Sequence, residues 1–311
     1  MRRQVAGVLA GPLLLGCLLA GGCTGGGAAD PHGRPAEDAP AVSAAQSQEI
    51  IAGWAARYNR AVASGREADW RELTTGALQE VMVERARVHG GLPDSERIAL
   101  HNPALYVPRL PAHPKWFAVA ALDDVGGPTR QVLVLFQQAR PDEPWRAAHL
   151  LEFRGAPPKL SYDGQGYAIA ATDASLPAGH AGYLSSGDMT TFRPDRFTRR
   201  ARTAARPSAA PAGWSLTSRF GTGPHPSYSL RTDDGGALVW YSIEQRQTFR
   251  ASGAARPSTL PADLRAYLTR TGRLSATRIQ ASWTWLAIGY APPQGTTHVL
   301  GESVHLTQVR T

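Results

Sequence analysis

The chain has 311 residues, 33 Lys and Arg against 25 Asp and Glu, and a formal charge of +8. With 42% hydrophobic and 19% charged residues it can bury a core, which excludes an intrinsically disordered chain. Its 2 cysteines exclude a disulfide scaffold and every multi-cysteine metal site, and only the first twenty or so residues are apolar enough for a bilayer, which excludes a polytopic membrane protein.

Met1-Arg2-Arg3 is a short positive start, residues 5–20 are apolar, and Ala20-Gly21-Gly22 precede Cys23. That order is a secretory signal. With its cysteine directly after Ala-Gly-Gly, the segment resembles the lipobox of bacterial lipoproteins, departing from it where Ala20 replaces the usual leucine. The resemblance implies a signal at 1–22 and a diacylglycerol on Cys23. Cys17, after Leu14-Leu15-Gly16, is a competing lipobox with a shorter apolar core. Two acyl chains on one cysteine give stable attachment, so the partner implied is the membrane, with the body on its extracytoplasmic face. Residues 23–45, rich in Gly, Ala, Pro and Asp, read as a tether.

From residue 46 the texture changes. Ile50, Ile51, Trp54, Tyr58 and Val62 recur at helical spacing, and Ser64-Gly65 ends the run. A second helix is predicted over 70–88, with Leu73, Leu78, Val81, Met82 and Ala86 inward. Strands are predicted at 105–107, 116–122, 131–137 and 145–153, joined by Gly- and Pro-rich turns. Gly155-Ala156-Pro157-Pro158 is a candidate linker, giving α+β domains at 46–160 and 161–311.

In the second half, 176–184 and 193–205 read as short helices. Strands are predicted at 214–220, 227–231, 237–249, 278–290 and 298–309, with a helical turn pair at 263–269. The densest basic run, Arg193, Arg196, Arg199, Arg200, Arg202 and Arg206, reads either as the arginine bias of a GC-rich genome or as a face for anionic envelope polymers. Phe192 and Phe197 are too few to stack bases, and nucleic acid is not an expected partner.

Helices followed by an antiparallel meander, over 46–153 and less closely over 176–309, resemble the nuclear-transport-factor-2-like superfamily, in which helices pack on a curved antiparallel sheet. Composition and leader also resemble actinobacterial lipoproteins of unknown function. The superfamily's pocket can bind small molecules, host catalysis or be filled, so the resemblance fixes no activity.

Catalytic motifs are missing. There is no phosphate loop and no His-Glu-x-x-His, and the serines of Gly182-Tyr183-Leu184-Ser185-Ser186-Gly187 have the wrong offsets for a nucleophile elbow. Asp123-Asp124 and Asp233-Asp234 adjoin glycines and read as turn chemistry. No cofactor, metal or catalytic residue is assigned. Trp283 and Trp285 share a face of one predicted strand, with Trp240 on a neighbouring strand, and together they form either a ligand pocket or a filled core. Glu244 and Arg246 are the candidate polar groups beside them. The resulting expectation is a membrane-tethered, non-catalytic binding or scaffolding module of the cell envelope, with another envelope protein as a further partner. Its alternatives are a carrier using the aromatic pocket and a hydrolase of envelope material, which would need a carboxylate or histidine buried beside a cleft.

Overall fold

In the computed structural model, residues 39–153, 157–173, 175–253 and 255–311 are described. Cys17, Cys23 and the tether up to residue 38, with part of the 155–158 linker, lie outside them. The chain is mixed α+β with two antiparallel sheets. Among the described residues no helix is long and apolar enough to cross a membrane.

Helix α1, Ala44–Ser64, begins at a capping box. The Gln46 N–H donates to Ser43 Oγ at 3.2 Å, and the Ser43 N–H donates to Gln46 Oε1 at 3.1 Å. Its buried stripe is Ile51, Trp54, Tyr58, Ala61 and Val62, and it stops at Gly65, whose φ of 62° is left-handed. A Cβ there would run into the backbone of Gly90 and Gly91. Gly65→Ala is therefore expected to cost about 2 kcal/mol, from left-handed strain and this overlap. Gly53→Ala, in open space on the same helix, should be neutral or slightly stabilising. Urea midpoints of the two variants check this, and equal midpoints would refute it.

The helix predicted over 70–88 is two helices, α2 Glu67–Leu73 and α3 Gly76–His89. Thr74 and Thr75 break it. Thr74 Oγ1 donates to Trp70 O at 2.6 Å, and the Thr75 N–H leaves the helical ladder for Ala147 O at 2.9 Å. The first sheet has the order β1 His101–Tyr106, β2 Lys115–Asp123, β3 Arg130–Gln138 and β4 Arg146–Phe153. Trp54, from α1, meets Phe136 of β3 edge-on at 5.2 Å and donates its indole N–H to Leu73 O.

The second half supplies α4 Ser175–Ser186, α5 Arg196–Ala204 and α6 Ala262–Arg270. Its sheet orders β5 Trp214–Thr222, β7 Ala237–Ala251, β8 Arg278–Ala291 and β9 His298–Arg310, with β6 Tyr228–Arg231 pairing β7 just beyond β5. Side chains alternate across a strand, and both faces of β7 are buried over residues 237–243. Leu238 and Trp240, with Leu286 and Ile288 of β8, join the core of the first sheet and α1–α3. Val239, Tyr241 and Ile243, with Trp283, Trp285 and Ala287, join a second core under α4 and α6. The second sheet is thus a wall common to two apolar cores.

Candidate functional site

Each face of that wall ends in a concavity. On the Trp240 face, apolar side chains give way to Ser242, Glu244 and Arg246 along β7, and α3 with the loop before β6 closes a groove of about 540 Å³ over them. Most of its charges are paired with one another. Arg246 pairs with Glu244 at 2.8 Å, Arg87 with Glu84 at 2.8 Å, and His225 with Glu80 at 3.2 Å. Exposed pairs such as Arg246–Glu244 add little stability, whereas Glu84 is 3% exposed and its Oε1, like Ser242 Oγ, has no hydrogen-bond partner among the described residues.

The expectation that Trp240, Trp283 and Trp285 line one face requires correction. Trp240 lies opposite Ile288, whereas Trp283 lies opposite Gln245 and Trp285 opposite Ile243. Even and odd positions face opposite ways, so Trp240 is in the first core and the other two are in the second. Glu244 and Arg246 share the face of Trp240 and line the groove, away from Trp283 and Trp285. Trp285 is 3% exposed and donates its indole N–H to Gln245 Oε1 at 3.2 Å, as a packed core residue does.

The other face holds a different arrangement. Tyr241, Ala287 and Glu302 form one row across β7, β8 and β9. Above the row, Leu176, His180 and Leu184 fall at successive turns of α4, and this buried stripe carries the imidazole inward. His180 Nδ1 is 3.0 Å from Tyr241 Oη, its ring stacks on Phe192 at 4.9 Å, and Trp285 meets its edge at 5.8 Å. Its Nε2 lies 3.6 Å from Glu302 Oε2, longer than a hydrogen bond. Neither oxygen of Glu302 nor Nε2 of His180 has a hydrogen-bond partner among the described residues.

Glu302 lines a cleft of about 650 Å³ under α5, with Asp195, Arg196, Phe197 and Arg200 on one side and Glu152, Val299 and Gly301 on the other. A Cβ on Gly301 would sit 2.7 Å from Glu152 O, so this glycine lets β9 approach the end of β4 closely. Burial pushes the Glu302 carboxyl up to about 8, helped by the negative charge of Asp195. Burial likewise pushes His180 down to about 3. At neutral pH the pair is a protonated acid beside a neutral imidazole, both buried beneath the cleft.

Sequence reasoning had no motif for this site. His180 and Glu302 are far apart in the chain, and the one local signal is the Leu176, His180, Leu184 spacing. Among the described residues no group of three or more His, Cys, Asp or Glu side chains is placed to hold a metal ion.

A family model described as a domain of unknown function, DUF8094, matches residues 38–311. Among similar proteins, "Uncharacterized lipoprotein SCO2278" of Streptomyces coelicolor is 27% identical over 306 residues, covering 91% of this chain and 90% of its own. "Uncharacterized lipoprotein SCO6871" of the same organism is 30% identical, covering 86% and 85%. An "Uncharacterized lipoprotein" of Streptomyces avermitilis is 27% identical, covering 85% and 84%. No solved structure matches.

Proposed function

The chain belongs to the DUF8094 family and is similar to proteins named lipoproteins, and on that footing we propose that it is a lipid-anchored, extracytoplasmic binding module of the cell envelope whose ligand sits in the cleft over Glu302. Cys23, diacylated, holds it to the membrane. The observation that carries the binding role is an open cleft with a carboxyl group, 4% exposed and with neither oxygen hydrogen-bonded, buried directly beneath its floor. A buried polar group without a partner costs stability, and a ligand that supplies the partner recovers it. A binding role is favoured over scaffolding because a scaffold has no use for that cost. The tandem cone-shaped reading belongs to the same proposal, and helices preceding a β-meander in the first half support it.

One experiment tests both parts. Full-length protein is extracted from palmitate-labelled cells and weighed natively. The label should be lost in Cys23→Ala and kept in Cys17→Ala. A non-covalent companion should be present and should vanish in Arg200→Trp, which plugs the mouth from an exposed position. Label retained in Cys23→Ala refutes the anchor, and a companion retained in Arg200→Trp refutes the cleft.

A further inference from the structure

The charges around the cleft are arranged differently from those of the groove, whose arginines are in ion pairs. Of its carboxylates, Asp195 caps α5, accepting from the Thr198 N–H at 2.7 Å and from Thr198 Oγ1 at 2.8 Å. Glu152 faces Arg130 at 4.0 Å. Glu302 holds its proton. The two cations, Arg196 and Arg200, are exposed, have no ion pair among the described residues, and stand one turn apart on the same side of α5. Between them Phe197, 44% exposed, presents a ring whose inner edge meets Trp285 at 6.2 Å. The unspent recognition groups of the cleft are therefore two guanidinium donors and an apolar wall that includes Val299, above a floor in which the Glu302 carboxyl is buried.

We propose that the cleft over Glu302 binds an organic oxyanion, a phosphate or carboxylate on a ring-bearing or short apolar body, with Arg196 and Arg200 gripping the anion above Glu302. The proposal rests on the cleft being a binding site and names the class of ligand it takes. Arginine suits this role because its planar fork matches the paired oxygens of a phosphate or carboxylate. A protonated Glu302 beneath the anion adds no repelling charge, and an ionised Glu302 would oppose the ligand.

The groups facing Glu302 are His180 from α4, Tyr241 from β7, Asp195, Arg196 and Arg200 from α5, and Glu152 from β4. His180 is held neutral far below neutrality, and burial holds the Tyr241 phenol well above its usual range. Glu302 is thus the group that titrates between pH 7 and 9. Anion binding should be full near pH 7 and about tenfold weaker at pH 9, as the floor loses its proton.

The test is calorimetric titration of the full-length protein in phosphatidylcholine nanodiscs with phenyl phosphate, inorganic phosphate, phenyl glucoside and benzylammonium. Phenyl phosphate should bind at least tenfold more tightly than each of the others at pH 7. Arg196→Ala with Arg200→Ala, two exposed positions, should weaken it by about tenfold per arginine. Glu302→Gln cannot ionise, so it should bind at pH 7 and show no loss at pH 9, where the phosphate is already fully ionised. Phenyl glucoside or benzylammonium binding more tightly, with the same dependence on the cleft variants, overturns the oxyanion class and leaves the binding site standing. Inorganic phosphate binding as tightly overturns the apolar body. No heat from any of the four overturns the proposal, and if the companion mass in the native spectrum is also missing the binding role falls with it.

Discussion

On acidification from pH 7 to pH 4 the protein is expected to lose about 5 kcal/mol of folding stability, enough to bring a chain of ordinary stability close to unfolding. The cause is a set of imidazoles folded away in neutral form. His149, on β4 opposite Leu135, is 2% exposed with its ring 6.0 Å from Tyr228, and burial pushes it down to about 3, with His225 adding to the effect. His180 is held at about 3, and the partly covered His305 at about 4. In the unfolded chain each imidazole takes its proton near pH 6.5. Stability is therefore present above that value and is lost as the pH falls towards the folded values. At 1.36 kcal/mol for each pH unit, His149 and His180 give up about 3 kcal/mol each by pH 4 and His305 about 2, while Glu302 returns about 3. Urea midpoints at pH 7, 5.5 and 4 would show the loss, and His149→Phe should flatten the slope by about one proton. A midpoint that is level from pH 7 to 4 would contradict the account.

Glu302→Gln is expected to act in the opposite direction. The folded carboxyl titrates near 8 and the unfolded one near 4.5, so stability is full below 4.5 and declines as the pH rises through the folded value. Relative to the native chain, the variant should gain about 3 kcal/mol between pH 4 and pH 7, and about 5 by pH 9. A constant offset from burying an amide leaves those differences untouched. Denaturation curves of the two proteins at pH 4, 7 and 9 measure the gain directly. Parallel curves at all three values would mean that Glu302 is ionised in the folded protein, and the oxyanion proposal would fall with the protonated floor.

Much of the fold is written locally. Helical spacing and Gly65 bracket α1, the β2–β3 hairpin is bounded by its glycine turn, and strands at 237–249, 278–290 and 298–309 are close to β7, β8 and β9. Asp234 serves its turn as composition suggests, accepting from Thr232 Oγ1 at 2.6 Å and from the Gly236 N–H at 3.1 Å. What was hidden depends on distant partners. The Thr74–Thr75 break exists because Ala147 of β4 offers its carbonyl to Thr75, and nothing near Thr75 encodes that. Alternation puts Trp283 and Trp285 together, but the register of β7 against β8 decides where Trp240 points. The cleft is further removed still, since Glu302 meets His180 only after α4 has been laid across a finished sheet. No periodicity or motif carries that placement.

The wall common to two cores also limits how the chain can misfold. In a sheet with one wet face, a strand displaced by one residue exchanges its apolar side for its polar side, and one core objects. Here the same displacement of β7 would drive Glu244 and Arg246 in among Trp285, Ile279 and the α4 helix, and would take Tyr241 and Phe249 out to the polar groove. Each core rejects the error separately. The longest strand pairing in the molecule, the one most exposed to slippage, is thus proofread from both sides.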